Sequence, residues 1–131
     1  LIMSIHCFHH VALKVEDFDK TYDFYVKGLD FEENMKWEMD DGNRAVMLDT
    51  GNDNYLEIFE GRDFEVSNGA YLHLAFSSQD CEASLEKARN AGAEVTMEPD
   101  EIEIPSDPAK SVKVAFCKGP DGEIIEFFEE K

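Results

Sequence analysis

One pattern is written twice in this chain. "HHVALKV" runs from His9 and "LHLAFSS" from Leu72; each sets a histidine before alternating apolar residues and leads into a helical segment. Neither half is large enough to bury a robust core alone, so two similar units must share one. In the first unit, Phe8 to Val15 alternates as a strand. Asp17 then caps a helix whose Phe18, Tyr22, Tyr25 and Val26 recur at helical spacing until Gly28. Strands follow over 31–38, 44–49 and 55–60, with a turn at Asp41-Gly42. In the second unit, Tyr71 to Ser77 is the strand, and Ser78 or Asp80 caps a helix that stops at Gly92. A short strand surrounds Val95, and proline-bearing 99–110 reads as an irregular flap. Strands over 112–118 and 124–129 flank the turn Gly119-Pro120-Asp121-Gly122. The expected architecture is α+β: one domain over 1–131, built of two tandem βαβββ modules, 5–60 and 70–131.

Charge removes several functions. Thirty acids against twelve bases give a net charge of -18, a field that repels phosphate backbones and anionic membranes. No nucleic-acid or membrane partner is expected. The acids are spread along the chain, as on a solvated surface. Cys7, Cys81 and Cys117 are an odd number with no Cys-x-x-Cys spacing. A disulfide framework is therefore not expected, and the reading is a reducing cytoplasm.

Aligning the halves exposes a constellation. His10 and His73 hold the same place in the opening strands. Glu57 in "NYLEIFE" and Glu126 in "EIIEFFE" hold the same place in the closing ones. By strand parity, Val11, Leu13, Leu72 and Leu74 face the helices, and both histidines face the other way. Glu57 shares its face with Tyr55 and Phe59, and Glu126 with Ile124 and Phe128. Two carboxylates among apolar side chains are costly to bury and repel one another. One divalent cation resolves both problems: two neutral imidazoles, two carboxylates and a 2+ ion sum to zero. The donor set suits nickel, zinc, cobalt or manganese, one ion per site. His6 at the end of the chain and His9 with the wrong parity are set aside. Phe18, Tyr22 and Tyr25 read as core, and the cysteines have no metal role.

Three stretches carry a resemblance over nearly the whole length: "HHVALKVEDFDKTYDFYVKGLDF", "YLHLAFSSQD" and "GPDGEIIEFFEEK". In that order they resemble the vicinal oxygen chelate superfamily (glyoxalase, bleomycin resistance protein, dioxygenase). Within it the chain looks most like the small bacterial type of glyoxalase I (lactoylglutathione lyase). The resemblance implies paired βαβββ units around a metal cup, usually in a homodimer whose sites lie at the interface. It places the ligands at His10, Glu57, His73 and Glu126. It implies conversion of a hemithioacetal, formed from a 2-oxoaldehyde and a thiol, to a 2-hydroxyacyl thioester through an enediolate. Glu126 is the main base, with Glu57 sharing the role. The partner is thus a small thiol adduct or another 2-oxo compound.

Two departures bear on the thiol. Lys14 stands where the bacterial glyoxalases carry an arginine that helps bind glutathione, and lysine lacks the guanidinium fork. Glu60, Gly61 and Arg62 stand where an asparagine is expected. Lys14, Arg44, Arg62 and Lys110 are noted as bases for an anionic substrate end. Phe8, Tyr55, Phe59, Tyr71 and Phe128 are noted as apolar lining. Rival readings within the superfamily are a methylmalonyl-CoA-type epimerase and a non-catalytic, bleomycin-resistance-type binding protein. The epimerases usually have glutamine at the Glu57 position, and a drug-binding cavity has no need of two buried glutamates.

Overall fold

A computed structural model describes residues 4, 5, 7–67 and 69–131; His6 lies outside them. The elements are β1 (His10–Val15), α1 (Phe18–Asp23) continuing into a π-helical turn (Phe24–Gly28), β2 (Glu32–Glu38), β3 (Arg44–Gly51) and β4 (Asn54–Glu60). The second half holds β5 (Leu74–Ser77), α2 (Cys81–Asn90), β6 (Glu94–Ile104), β7 (Lys110–Lys118) and β8 (Ile124–Glu130). They form two mixed four-stranded sheets, ordered β1-β4-β3-β2 and β5-β8-β7-β6. In each, the opening strand runs parallel to the closing strand, and the other pairings are antiparallel. The fold is α+β, and β1 and β5 are edge strands.

Both helices begin at an aspartate. Asp17 accepts from the Lys20 N–H and Asp80 from the Ala83 N–H, each at 3.0 Å, which satisfies a donor that the first turn leaves free. Of the two caps read for the second helix, Asp80 is the one used. Ser78 bonds Ser84 instead, at 2.7 Å between hydroxyl oxygens.

The helices and one face of each sheet share a single core. Val15, Val46, Leu48, Leu56 and Ile58 come from the first sheet, and Ala115, Cys117, Ile125 and Phe127 from the second. Phe18, Tyr25, Leu85 and Ala88 fill the space between. Phe18 and Tyr25 are buried as read from the sequence, and Tyr22 is half-buried. Gly28 does more than end a helix. A Cβ there would lie 2.5 Å from the Ala91 Cβ, so glycine lets the end of the first helix touch the end of α2.

A clasp of charge closes the far end of the core. Arg62, just past β4, grips Asp121 in the β7–β8 turn with two bonds of 2.9 Å. Asp121 also accepts the Glu16 N–H at 3.0 Å. Beside it, the Tyr25 hydroxyl donates to Glu123 at 2.7 Å. Burial pushes the Glu123 carboxyl above its ordinary range, and the Tyr25 bond opposes that shift.

Two segments differ from the sequence reading. The expected flap is mostly strand: β6 extends to Ile104 and pairs with β7 as far as Lys110. Pro99 is accommodated because β6 is an edge strand and its register shifts between Met97 and Asp100, where no ladder N–H is needed. The opening strands are also shorter than their alternation suggests, starting at His10 and Leu74. Phe8, Tyr71 and His73 therefore precede the strands rather than lie within them. No helix among the described residues is long and apolar enough to cross a membrane.

Candidate metal centre

Strand register assembles the site. In the first sheet His10 lies beside Tyr55, Ala12 beside Glu57 and Lys14 beside Phe59. Across β3, Met47 opposes Glu57 and Ala45 opposes Phe59. This is the face turned away from the core, as the parity argument requires. It is not a bare surface: Ala45 and Met47 are buried there, and Trp37 meets Phe59 edge-on at 6.2 Å. In the second sheet Ala75 lies beside Glu126, which opposes Phe116 on β7.

Each sheet brings one histidine to one glutamate. His10 Nε2 is 3.4 Å from Glu57 Oε1, and His73 Nε2 is 3.0 Å from Glu126 Oε1. The carboxylates are nearly covered, with side chains 13% and 12% exposed, while the rings stand at 40% and 36%. The same atoms converge in both halves, so the repeat in sequence is a repeat in geometry.

The four residues do not converge in one chain. Among the described residues, the one group of three or more metal-binding side chains with mutually close donor atoms is Asp80, Glu82 and Glu129. There Asp80 caps α2, Glu82 pairs with Lys113 at 2.8 Å and Glu129 accepts the Cys81 N–H at 2.7 Å, so local structure explains all three. A cation therefore finds one nitrogen and one nearly buried carboxylate on each sheet. These donors fit a divalent ion in kind, and two such halves make a full set.

The remaining sequence-derived residues divide. Tyr55, Phe59 and Phe128 lie on the site faces by register. Phe8 is 84% and Tyr71 98% exposed. A cleft of about 650 Å³ opens where β1 and β5 begin, and both His10 and His73 line it, with Phe8 and Tyr55. Three of the four bases are already committed. Arg44 bonds Glu60 and Asp19, and its guanidinium holds the Glu60 carboxyl down to about 2. Arg62 is held by Asp121, and Lys110 reaches Glu130 at 3.3 Å. Lys14 faces the same side as His10 and Glu57 and forms no ion pair among the described residues. Burial raises the thiols of Cys81 and Cys117 to about 11, which keeps them protonated.

Residues 8–127 match the family described as the glyoxalase/bleomycin resistance protein/dioxygenase superfamily. The chain belongs to that superfamily. It is 30% identical over 140 residues to a probable lactoylglutathione lyase of Vibrio cholerae, covering 98% of this chain and 94% of the relative. It is 29% identical to the lactoylglutathione lyase of Haemophilus influenzae, over 93% and 91% of the two chains. A glyoxalase family protein from Enterococcus faecalis has a similar structure, with a TM-score of 0.78 at 25% identity over 97% of this chain and all of that one. His9, set aside on parity, lies beside one of the four. Its ring nitrogen meets that of His10, and the only hint in the sequence is the His-His doublet itself.

Proposed function

We propose that this protein is a metal-dependent lyase of glyoxalase I type, acting on a hemithioacetal of a 2-oxoaldehyde and a thiol. The observation that carries the reading is the duplicated pair: an imidazole Nε2 beside a nearly buried carboxylate, at equivalent places in both sheets. His10, Glu57, His73 and Glu126 would hold a divalent ion. A divalent ion held there would supply Lewis-acid polarisation of the substrate carbonyl and offset the charge that develops on its oxygens. Glu126 takes the proton from the thiol-bearing carbon, and the proton returns at the neighbouring carbon, which leaves a 2-hydroxyacyl thioester. Glu57 would share that transfer. Trp37, Phe59 and Phe128 supply an apolar wall that keeps water from the exchanging proton, and Lys14 is the cation available for an anionic end of the thiol.

Two copies complete the site in this reading. β1 and β5 are free edges, and exposed apolar side chains surround them: Phe8 84%, Val11 46%, Tyr71 98% and Leu72 71%. A two-fold pair covers these edges by setting β1 of each copy against β5 of the other, so that His10 and Glu57 face His73 and Glu126 of the second copy. The test is metal per chain after exposure to nickel, cobalt or zinc, for the parent, Glu57→Gln and Glu126→Gln. One ion per chain, weakened in both variants, supports the reading and leads to assays with several thiols. A parent that takes up no metal removes it.

A further inference from the structure

His9 is absent from the quartet, yet it makes the closest polar contact to one of its members. Its Nδ1 lies 2.9 Å from His10 Nδ1, with the rings at 86° to one another. His9 is itself held in two ways. Its ring lies against Tyr55, with centroids 5.0 Å apart, and its carbonyl accepts the Tyr55 N–H at 3.0 Å. Tyr55 is also the register partner of His10. One β4 residue thus packs on the His9 ring and pairs with His10 in the strand register.

We infer that His9 is a positioning residue: it accepts the His10 Nδ1 proton and so leaves the His10 Nε2 lone pair free for a cation. The inference rests on the metal reading above. A neutral imidazole carries one ring proton. Shared with His9, that proton sits on Nδ1, and Nε2, the atom 3.4 Å from Glu57 Oε1, is bare. Metal-bound histidines are oriented in this way by an acceptor on the far nitrogen. The other half lacks the device. Leu72 occupies the position equivalent to His9, and the ring beside His73 is Phe116, edge-on at 5.7 Å. His10 is oriented by a polar partner and His73 by an aromatic one.

Zinc is the probe of choice, since it is diamagnetic. Zinc affinity by chelator competition and imidazole nitrogen shifts by NMR are compared for the parent, His9→Leu and His9→Gln. His9 is exposed, so folding is not at stake. In the zinc-loaded parent, His10 carries its proton on Nδ1, protected from exchange with water. His9→Leu loses that protection and binds zinc roughly 10–100-fold more weakly. His9→Gln, whose amide oxygen accepts the same proton, recovers most of the affinity, and His73 signals stay in place throughout. Parent-like affinity and exchange in His9→Leu overturn the inference while leaving the metal reading intact. Equal losses in His9→Leu and His9→Gln overturn it in favour of ring packing on Tyr55. A parent that binds no zinc overturns both readings together.

Discussion

The two halves run the same path with different reinforcement. The first half supports its histidine with a second imidazole stacked on Tyr55 and carries Lys14 on the same face. The second half has Leu72, Ile124 and Ser77 at the corresponding places, but its carboxylate comes closer to its histidine, 3.0 Å against 3.4 Å. The donors are kept equal while their surroundings diverge. On the proposed function, the first half holds the ligand and the thiol, and the second moves the proton.

The strongest way to break this division is to exchange the carboxylates one at a time. With metal restored, Glu126→Gln is expected to slow hemithioacetal turnover by roughly 10²–10⁴-fold, in the range for a lost general base, and Glu57→Gln by less. Equal losses would make the halves chemically equivalent. Next comes the pairing of halves between copies. Tyr71→Asp places charge beside the β5 edge and is expected to convert a two-chain species to single chains in sedimentation velocity, with metal content falling alongside.

A smaller effect concerns the clasp inside one chain. Tyr25→Phe leaves the half-buried Glu123 carboxyl without its hydroxyl partner and should lower the unfolding free energy by roughly 1–3 kcal/mol in urea titrations. Glu123 also gives stability a pH dependence of known sign. Its carboxyl is raised by burial above the ordinary 4.5, so its contribution is fully present below that value and lost as pH rises through the folded-state value. Relative to the parent, Glu123→Gln should therefore gain stability as pH rises across that window. The smallest change expected is from Leu72→His. It lacks a counterpart of Tyr55, since Ile124 stands there, and zinc affinity should move less than about twofold; a gain like that from His9 would show that any neighbouring imidazole suffices.

Period-two alternation made the site faces legible. It set Glu57 among Tyr55 and Phe59, and Glu126 among Ile124 and Phe128, because a side chain's face is dictated by its place in a strand. The same rule does not reach residues that precede the strand. His9 precedes β1, so parity does not govern it, and its ring swings toward His10. Proline misled the reading of β6 for a related reason. A proline breaks a central strand, and nothing local announces that β6 is an edge with a register shift at Pro99. The close approach of Gly28 to Ala91 was equally hidden, since it depends on residues sixty-three positions apart.

The commitment of Arg44 and Arg62 to carboxylates has a consequence far from either side chain. Arg89 is engaged in the same way, by Glu86 and Glu98, so every guanidinium in the chain is locally neutralised. At a distance the chain presents a net charge of -18. Such a particle travels inside its own cloud of counter-ions, and divalent ions are the most strongly enriched in it. On the proposed function, a metal ion bound at the site would be drawn from that cloud. Capture should therefore quicken as the buffer is diluted, and slow as added salt thins the cloud to the scale of the Debye length, about 10 Å at 0.1 M.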